Sequence, residues 1–165
     1  METLESIYEK MKEYSDKYGG TIAWRKKKHA KIIAKHLNPG EEVHYAFCCQ
    51  KGFSHFEIFN TYAVALTNKR IIVAQKRVLP GYLFLAVTPD MFNDLTVRSG
   101  IIWAKVYIDT IKEVIILSNI SKRATAEIQT AITEHMMREK RKYVKIDREH
   151  IGGWKASFYC KKELF

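Results

Sequence analysis

Between Glu42 and Ser118 the apolar pattern has a period of two, sustained through seven short runs. They are "EVHYAFCCQ", "FEIFNTYAVAL", "IIVAQ", "YLFLAV", "MFNDLTV", "IIWAKVYIDT" and "EVIILS". Turn-forming residues divide them: Gly52, Thr67-Asn68, Pro80-Gly81, Pro89-Asp90, Ser99-Gly100 and Ile111-Lys112. Close, regular spacing of this kind is the pattern of a small antiparallel barrel or sandwich. The first run places Val43, Tyr45, Phe47 and Cys49 on one face, so Cys48 and Cys49 point to opposite faces. "KVYID" alternates with Val106 and Ile108 on one side, and Val114 or Ile116 is expected beside them in the core.

Segments of helical period flank this block. Leu4, Ile7, Tyr8, Met11, Tyr14 and Tyr18 predict a helix over 2–18, ended by Gly19-Gly20. A second helix is expected over 22–37, with Ala30, Ile33, Ala34 and Leu37 on one side and Lys27, Lys28, Lys31 and Lys35 on the other. Asn38-Pro39-Gly40 stops it. After Ser118-Asn119 the apolar residues Ile120, Ala124, Ile128, Ile132 and Met136 recur every four positions, broadened by Ala131 and His135. That predicts a helix to about Tyr143 that plugs one end of the barrel. The remainder reads as a hairpin around Gly152-Gly153 or a loose extension. The expected division is a helical extension over 1–38, one β domain over 39–143 and a tail over 144–165.

Composition bounds the function. A chain of 165 residues with 47% hydrophobic content has material for one real core. No window approaches the roughly 18 consecutive apolar residues of a membrane-spanning helix. The acidic, amphipathic N-terminus is unlike a secretory signal. Three cysteines, Cys48, Cys49 and Cys160, make no disulfide framework, so a reducing cytoplasm is expected. The net charge of +10 is uneven. Residues 39–120 are nearly neutral, whereas 21–38 hold six basic side chains and no acid. Basic flanks suit a solvated helix face, an anionic membrane surface or nucleic acid.

Three stretches carry a resemblance: "LNPGEEVHYAF" entering the first strand, "ALTNKRIIV" at the second hairpin and "FNDLTVRSGIIWAKVYIDT" across the fifth and sixth strands. With seven strands and one closing helix, they resemble the bacterial pleckstrin-homology (PH)-like domains, particularly the YokE-like group. The resemblance covers roughly 37–143. It implies a bent seven-strand antiparallel barrel closed by a C-terminal helix, here with added N-terminal helices, in a bacterial or phage-encoded protein. Homo-oligomers are a family-level expectation. Phosphoinositide-binding PH domains carry a Lys and then a spaced Lys/Arg-x-Arg around the first strand pair. Here Lys51 is followed by no Lys or Arg before Lys69, with His55 between, and residues 121–143 lack the usual helix tryptophan. The resemblance therefore does not extend to specific inositol-phosphate recognition.

Catalytic and metal-binding constellations fall away one by one. His29 and His36 nearly align on a helix but have no carboxylate or thiol nearby in sequence. His44 and Cys48 share a strand face, which offers two ligands where a structural zinc site takes four. Cys48 and Cys49 are expected to be reduced, with at least one of them buried in the strand and therefore inert. Asp90 and Asp94 lie at a helix-like spacing near a strand edge, but "TPD" reads as the start of a turn or short capped segment, and no phosphate-binding Gly-rich loop or hydrolase motif is present. A non-enzymatic module without cofactor or metal is the expectation. The candidate anion- or partner-binding residues are Arg25, Lys26, Lys27, Lys28, Lys31 and Lys35 on the second helix, and Lys69 and Arg70 after the Thr67-Asn68 turn. The turn itself has a structural reading: Asn tolerates positive φ, Thr bonds its own backbone, and the charges blunt edge pairing. The leading expectation is protein–protein interaction, with a groove or sheet edge as the surface. Peripheral binding to anionic lipid through the basic flanks, with Trp24 and the 138–145 cluster, comes next. Nucleic-acid binding through the same charges comes third.

Overall fold

The structure, a computed structural model, describes residues 3–19, 23–51, 61–77 and 80–160, without the side chains of 23, 24, 51 and 143–160. Two helices, α1 (Leu4–Tyr18) and α2 (Ala23–His36), precede seven strands. These are β1 (Val43–Lys51), β2 (Thr61–Thr67), β3 (Ile71–Lys76), β4 (Tyr82–Val87), β5 (Phe92–Ser99), β6 (Trp103–Thr110) and β7 (Val114–Ser121). A short 3-10 turn, Lys122–Ala124, leads into α3 (Thr125–Cys160). Thr3 caps α1 by accepting from the Ser6 N–H at 3.2 Å. Gly19, at φ +84°, closes its other end in a conformation that favours glycine.

All seven strands form one antiparallel sheet in the order β4-β3-β2-β1-β7-β6-β5. Among the described residues β1 meets β7 through Gln50↔Ser118 and Lys51↔Leu117. The sheet curls into a half-barrel. Its concave face holds the main core, including Phe47, Cys49, Val64, Ile71, Val73, Val106, Ile108 and Leu117. Ile128, Ile132 and Met136 of α3 complete it, each fully buried. The four-residue spacing puts all three on one side of the helix, as the pattern predicts.

A second apolar layer covers the convex face of β1–β3. There Ala46, Ala63, Ala65 and Ala74 keep the surface low, so α1 and α2 lie against it through Ile7, Met11, Ala30, Ile32 and Ile33. β2 is consequently buried at every position. Cys48 belongs to this outer layer and Cys49 to the inner one, as strand alternation requires.

Several expectations shift. A bulge between Val43 and Tyr45 moves Val43 to the outer layer, away from the face of Tyr45, Phe47 and Cys49. In β7 the core residues are Ile115 and Leu117, while Val114 is 51% exposed. The run "VII" reads equally well in either phase; pairing with β6 sets Ile108 opposite Ile115 and decides it. Ser118-Asn119 is not a turn: β7 continues to Ser121, so Ile120 is a strand residue of the core. α3 runs through Gly152-Gly153 to Cys160, so the hairpin reading of the tail is wrong there. Val144, Ile151 and Phe158 keep a helical seven-residue spacing, and two glycines cost a helix only about 1 kcal/mol each. The Gly52 turn and the first half of the expected second strand lie outside the described residues.

Ile128 lies at the centre of the α3–sheet contact. Ile128→Ala is expected to lower unfolding free energy by about 2–5 kcal/mol, measured by denaturant titration, because the site cannot collapse around the lost methylenes.

Candidate functional site

The "TNKR" tetrapeptide is a structural staple. The Thr67 hydroxyl accepts from the backbone N–H groups of Lys69 (3.1 Å) and Arg70 (3.0 Å) and donates to Glu41 Oε1 at 2.8 Å. Asn68 Nδ2 donates to the Gly40 carbonyl, and Lys69 Nζ donates to the Pro39 carbonyl, both at 3.0 Å. Arg70 grips Glu41 with two bonds, Nε to Oε1 at 2.9 Å and Nη2 to Oε2 at 3.0 Å. Its Nη2 also reaches the His36 carbonyl at the end of α2, at 2.8 Å. The Glu41 side chain is fully buried and Arg70 is 15% exposed. Burial alone would raise the Glu41 carboxyl. Bonds from Arg70, the Asn38 N–H and Thr67 outweigh it and hold the carboxyl below its usual range. Arg70 is thus engaged by Glu41 and the His36 carbonyl, while Lys69 is exposed with one donor on Pro39.

The basic face of α2 divides in the same way. Arg25 is buried and donates to Thr61 Oγ1 at 3.0 Å. Lys26 is buried and bonds the Ser15 hydroxyl of α1. Lys27 pairs with Glu5 at 3.0 Å, and Lys35 lies over the Tyr82 ring at 5.8 Å. Lys28, Lys31 and Lys35 are exposed. The helix pattern could not reveal that α1 crosses this face, because α1 reaches it through tertiary packing. The side chain of Trp24 lies outside the described residues.

His29, Cys48 and Cys49 are buried within the fold. His29 is 3% exposed, and its Nδ1 accepts the Lys76 backbone N–H at 2.9 Å. Burial, then the neighbouring Arg25 charge, pushes its pKa from 6.5 down to about 4. His44 stands against His135 of α3, ring centroids 5.9 Å apart, while Cys48 contacts Met11 in the outer layer. The expected sharing of one face by His44 and Cys48 therefore fails, and the bulge at Tyr45 is its cause. Burial raises the Cys48 thiol to about 12 and the Cys49 thiol well above its ordinary value. Among the described residues no three His, Cys, Asp or Glu side chains gather as metal ligands.

Two features were missed by reading along the chain. The first is a cleft of about 230 Å³ between α1, β1 and α3, lined by Lys10, Lys17, Tyr14, Tyr45, His44 and Glu127 among others. Glu127 already accepts from Lys17 at 2.6 Å and from the Tyr18 hydroxyl, and those bonds lower its pKa. Glu127 is thus engaged from within the fold, whereas the buried Tyr45 hydroxyl has no hydrogen-bond partner among the described residues.

The second is an asymmetry between the two rims of the half-barrel. At the β5 rim α3 packs on the strand, and Lys140 Nζ donates to the Phe92 carbonyl at 2.6 Å. At the β4 rim the strand is last in the sheet. Its inner side chains, Leu83 and Leu85, touch the main core but remain only half-buried. On its outer face Phe84 packs on His36, and Tyr82 is 43% exposed. "YLFLAV" reads simply as a core strand, and nothing local marks it as a rim.

A family model for the bacterial PH domain matches residues 37–134. Among solved structures, a protein with a pleckstrin-homology domain from Shewanella loihica is 13% identical. That similarity covers 67% of this chain and 89% of the other, with a TM-score of 0.44. A pleckstrin homology domain from Shewanella amazonensis is 16% identical, covering 67% and 84%, with a TM-score of 0.41. No curated protein matches the chain.

His29 generates a pH prediction. Its folded pKa lies below its unfolded one, so the unfolded chain binds the extra proton between about pH 4 and 6.5. Its stability contribution is full above 6.5 and is lost as pH falls toward about 4. The loss amounts to about 3 kcal/mol. NMR titration is expected to find His29 neutral at pH 5.5, and His29→Gln should flatten the stability–pH curve across that window.

Proposed function

The chain belongs to the bacterial PH-domain family, and on that premise we propose that it is a non-catalytic binding module whose partner is a protein docking at the β4 rim. The observation that carries this reading is the rim asymmetry. Among the described residues α3 covers one rim, while the other offers a strand edge beside the half-buried Leu83 and Leu85. An extended peptide adding a strand there gains main-chain hydrogen bonds from β4, and its alternate side chains extend the apolar layer. A second copy presenting its own β4 satisfies the same edge, which is the homo-oligomeric form of this mode.

The charge-based alternatives are weakened by the internal bonds. Of eight candidate cations, Arg25, Lys26, Lys69 and Arg70 are engaged within the fold, and Lys27 is paired with Glu5. On the α2 face and the Thr67-Asn68 turn, the exposed remainder of these eight is Lys28, Lys31 and Lys35, a thin set for steep electrostatic binding at that face.

Affinity capture with the full chain, followed by hydrogen exchange on the captured complex, tests the reading. Binding is expected to survive moderate salt and the Lys31→Gln/Lys35→Gln substitutions, to protect β4 amides, and to fall at least about tenfold on Leu83→Lys. Capture that is unaffected by Leu83→Lys and abolished by the lysine substitutions would contradict it.

A further inference from the structure

The β5–β6 hairpin ends in an apolar tip that the fold does not use. Ile101 is 94% exposed, Ile102 66% and Trp103 46%. Isolated exposed apolar residues need no explanation, but three in a row at a projecting turn do. The turn is built, not loose. Gly100 N–H bonds the Trp103 carbonyl at 2.9 Å, and Lys122 N–H bonds the Ile102 carbonyl at 3.0 Å. A Cβ on Gly100 would sit 2.9 Å from that Trp103 oxygen, so only glycine allows so close a turn. The two isoleucines are therefore held outward at no further ordering cost.

The collar around the tip is uniformly cationic. Arg98 and Lys105 face each other across the hairpin, two residues below the turn. Ser121 pairs with Trp103, which brings Lys122 and Arg123 alongside. Arg98, Lys122 and Arg123 are exposed, and Lys105 is half-buried. Neither 98–105 nor 121–126 contains an Asp or Glu. Arg98 and Lys105 are three residues from Ile101 and Ile102, so at about 3.3 Å per strand residue they lie roughly 10 Å behind the tip, within the depth that separates headgroup charge from the acyl boundary.

We propose that this tip docks the protein on an anionic lipid surface. Ile101 and Ile102 enter the boundary between headgroups and acyl chains, and Trp103 sits at the interface, where indole is favoured. Arg98, Lys105, Lys122 and Arg123 meet the phosphates. A convex apolar point ringed by one sign of charge fits a soft anionic surface better than a rigid protein face, which would need a matching socket. Contact of this kind is peripheral; among the described residues no helix is long and apolar enough to cross a membrane. It involves neither the β4 rim nor the α2 lysines, so it stands or falls independently of the protein-binding reading.

The test is co-sedimentation of the full chain with vesicles of phosphatidylcholine alone and of phosphatidylcholine with phosphatidylserine, near about 0.15 M salt. The wild-type chain is expected to bind the mixed vesicles only. Ile101→Ser/Ile102→Ser should weaken binding at least about tenfold. Arg98→Gln/Lys122→Gln/Arg123→Gln should weaken it about a hundredfold. All of these positions are exposed, so melting temperatures should stay near the wild-type value. Three results would overturn the proposal: no sedimentation of the wild-type chain, undiminished binding by the isoleucine variant, or loss of binding only on Lys28→Gln/Lys31→Gln/Lys35→Gln. A wild-type dimer that ignores vesicles and is dissolved by the isoleucine variant would assign the tip to a second copy and sink it equally.

Discussion

The Glu41–Arg70 pair is the contact on which the outer layer depends. Glu41 has lost all contact with water, a cost recovered only if its oxygens are fully satisfied. They are: Arg70 takes both, and Thr67 and the Asn38 N–H complete the set. The same guanidinium caps the end of α2 at the His36 carbonyl. One ion pair therefore ties the exit of α2, the turn into β1 and the β2–β3 hairpin together. With that corner fixed, α2 lies over the alanine-lined convex face. α1 closes on it through Ile7 and Met11 and engages Lys26 and Lys27. Much of the apparent cationic surface is thereby spent on the fold.

What the structure leaves unspent is what points to function. α3 closes one rim, and the opposite rim ends in β4 with Leu83 and Leu85 half-buried. The β5–β6 turn projects Ile101, Ile102 and Trp103 above a ring of cations. On the readings proposed above, the apolar rim would hold a protein partner and the apolar point a lipid surface. Neither contact asks for a reactive side chain. The buried thiols and the neutral His29 are consistent with chemistry directed at stability.

The fold was largely legible in the sequence because period-two alternation and turn residues are local signals. The clean alternation of "KVYID" put Val106 and Ile108 in the core, and they are there. Where neighbouring apolar residues make the phase ambiguous, as at Val114–Ile116, only pairing with β6 could choose. The bulge at Tyr45 reassigned Val43 and separated His44 from Cys48 for the same reason. The basic face of α2 was read as a surface, yet Arg25 and Lys26 are buried by contacts distant in sequence. The tip at Ile101–Trp103 was read as strand because composition cannot distinguish an apolar residue that is buried from one that projects.

A double-mutant cycle on Glu41→Gln and Arg70→Met, followed by denaturant unfolding, tests the clamp most directly. Each single change leaves a buried group without its partner, so each is expected to cost about 3–5 kcal/mol. The double variant should recover a large part of that loss, giving a coupling of about 2–3 kcal/mol. Additive effects, with coupling below about 0.5 kcal/mol, would mean that the pair does not hold α2 to the hairpin and that another contact fixes the outer layer.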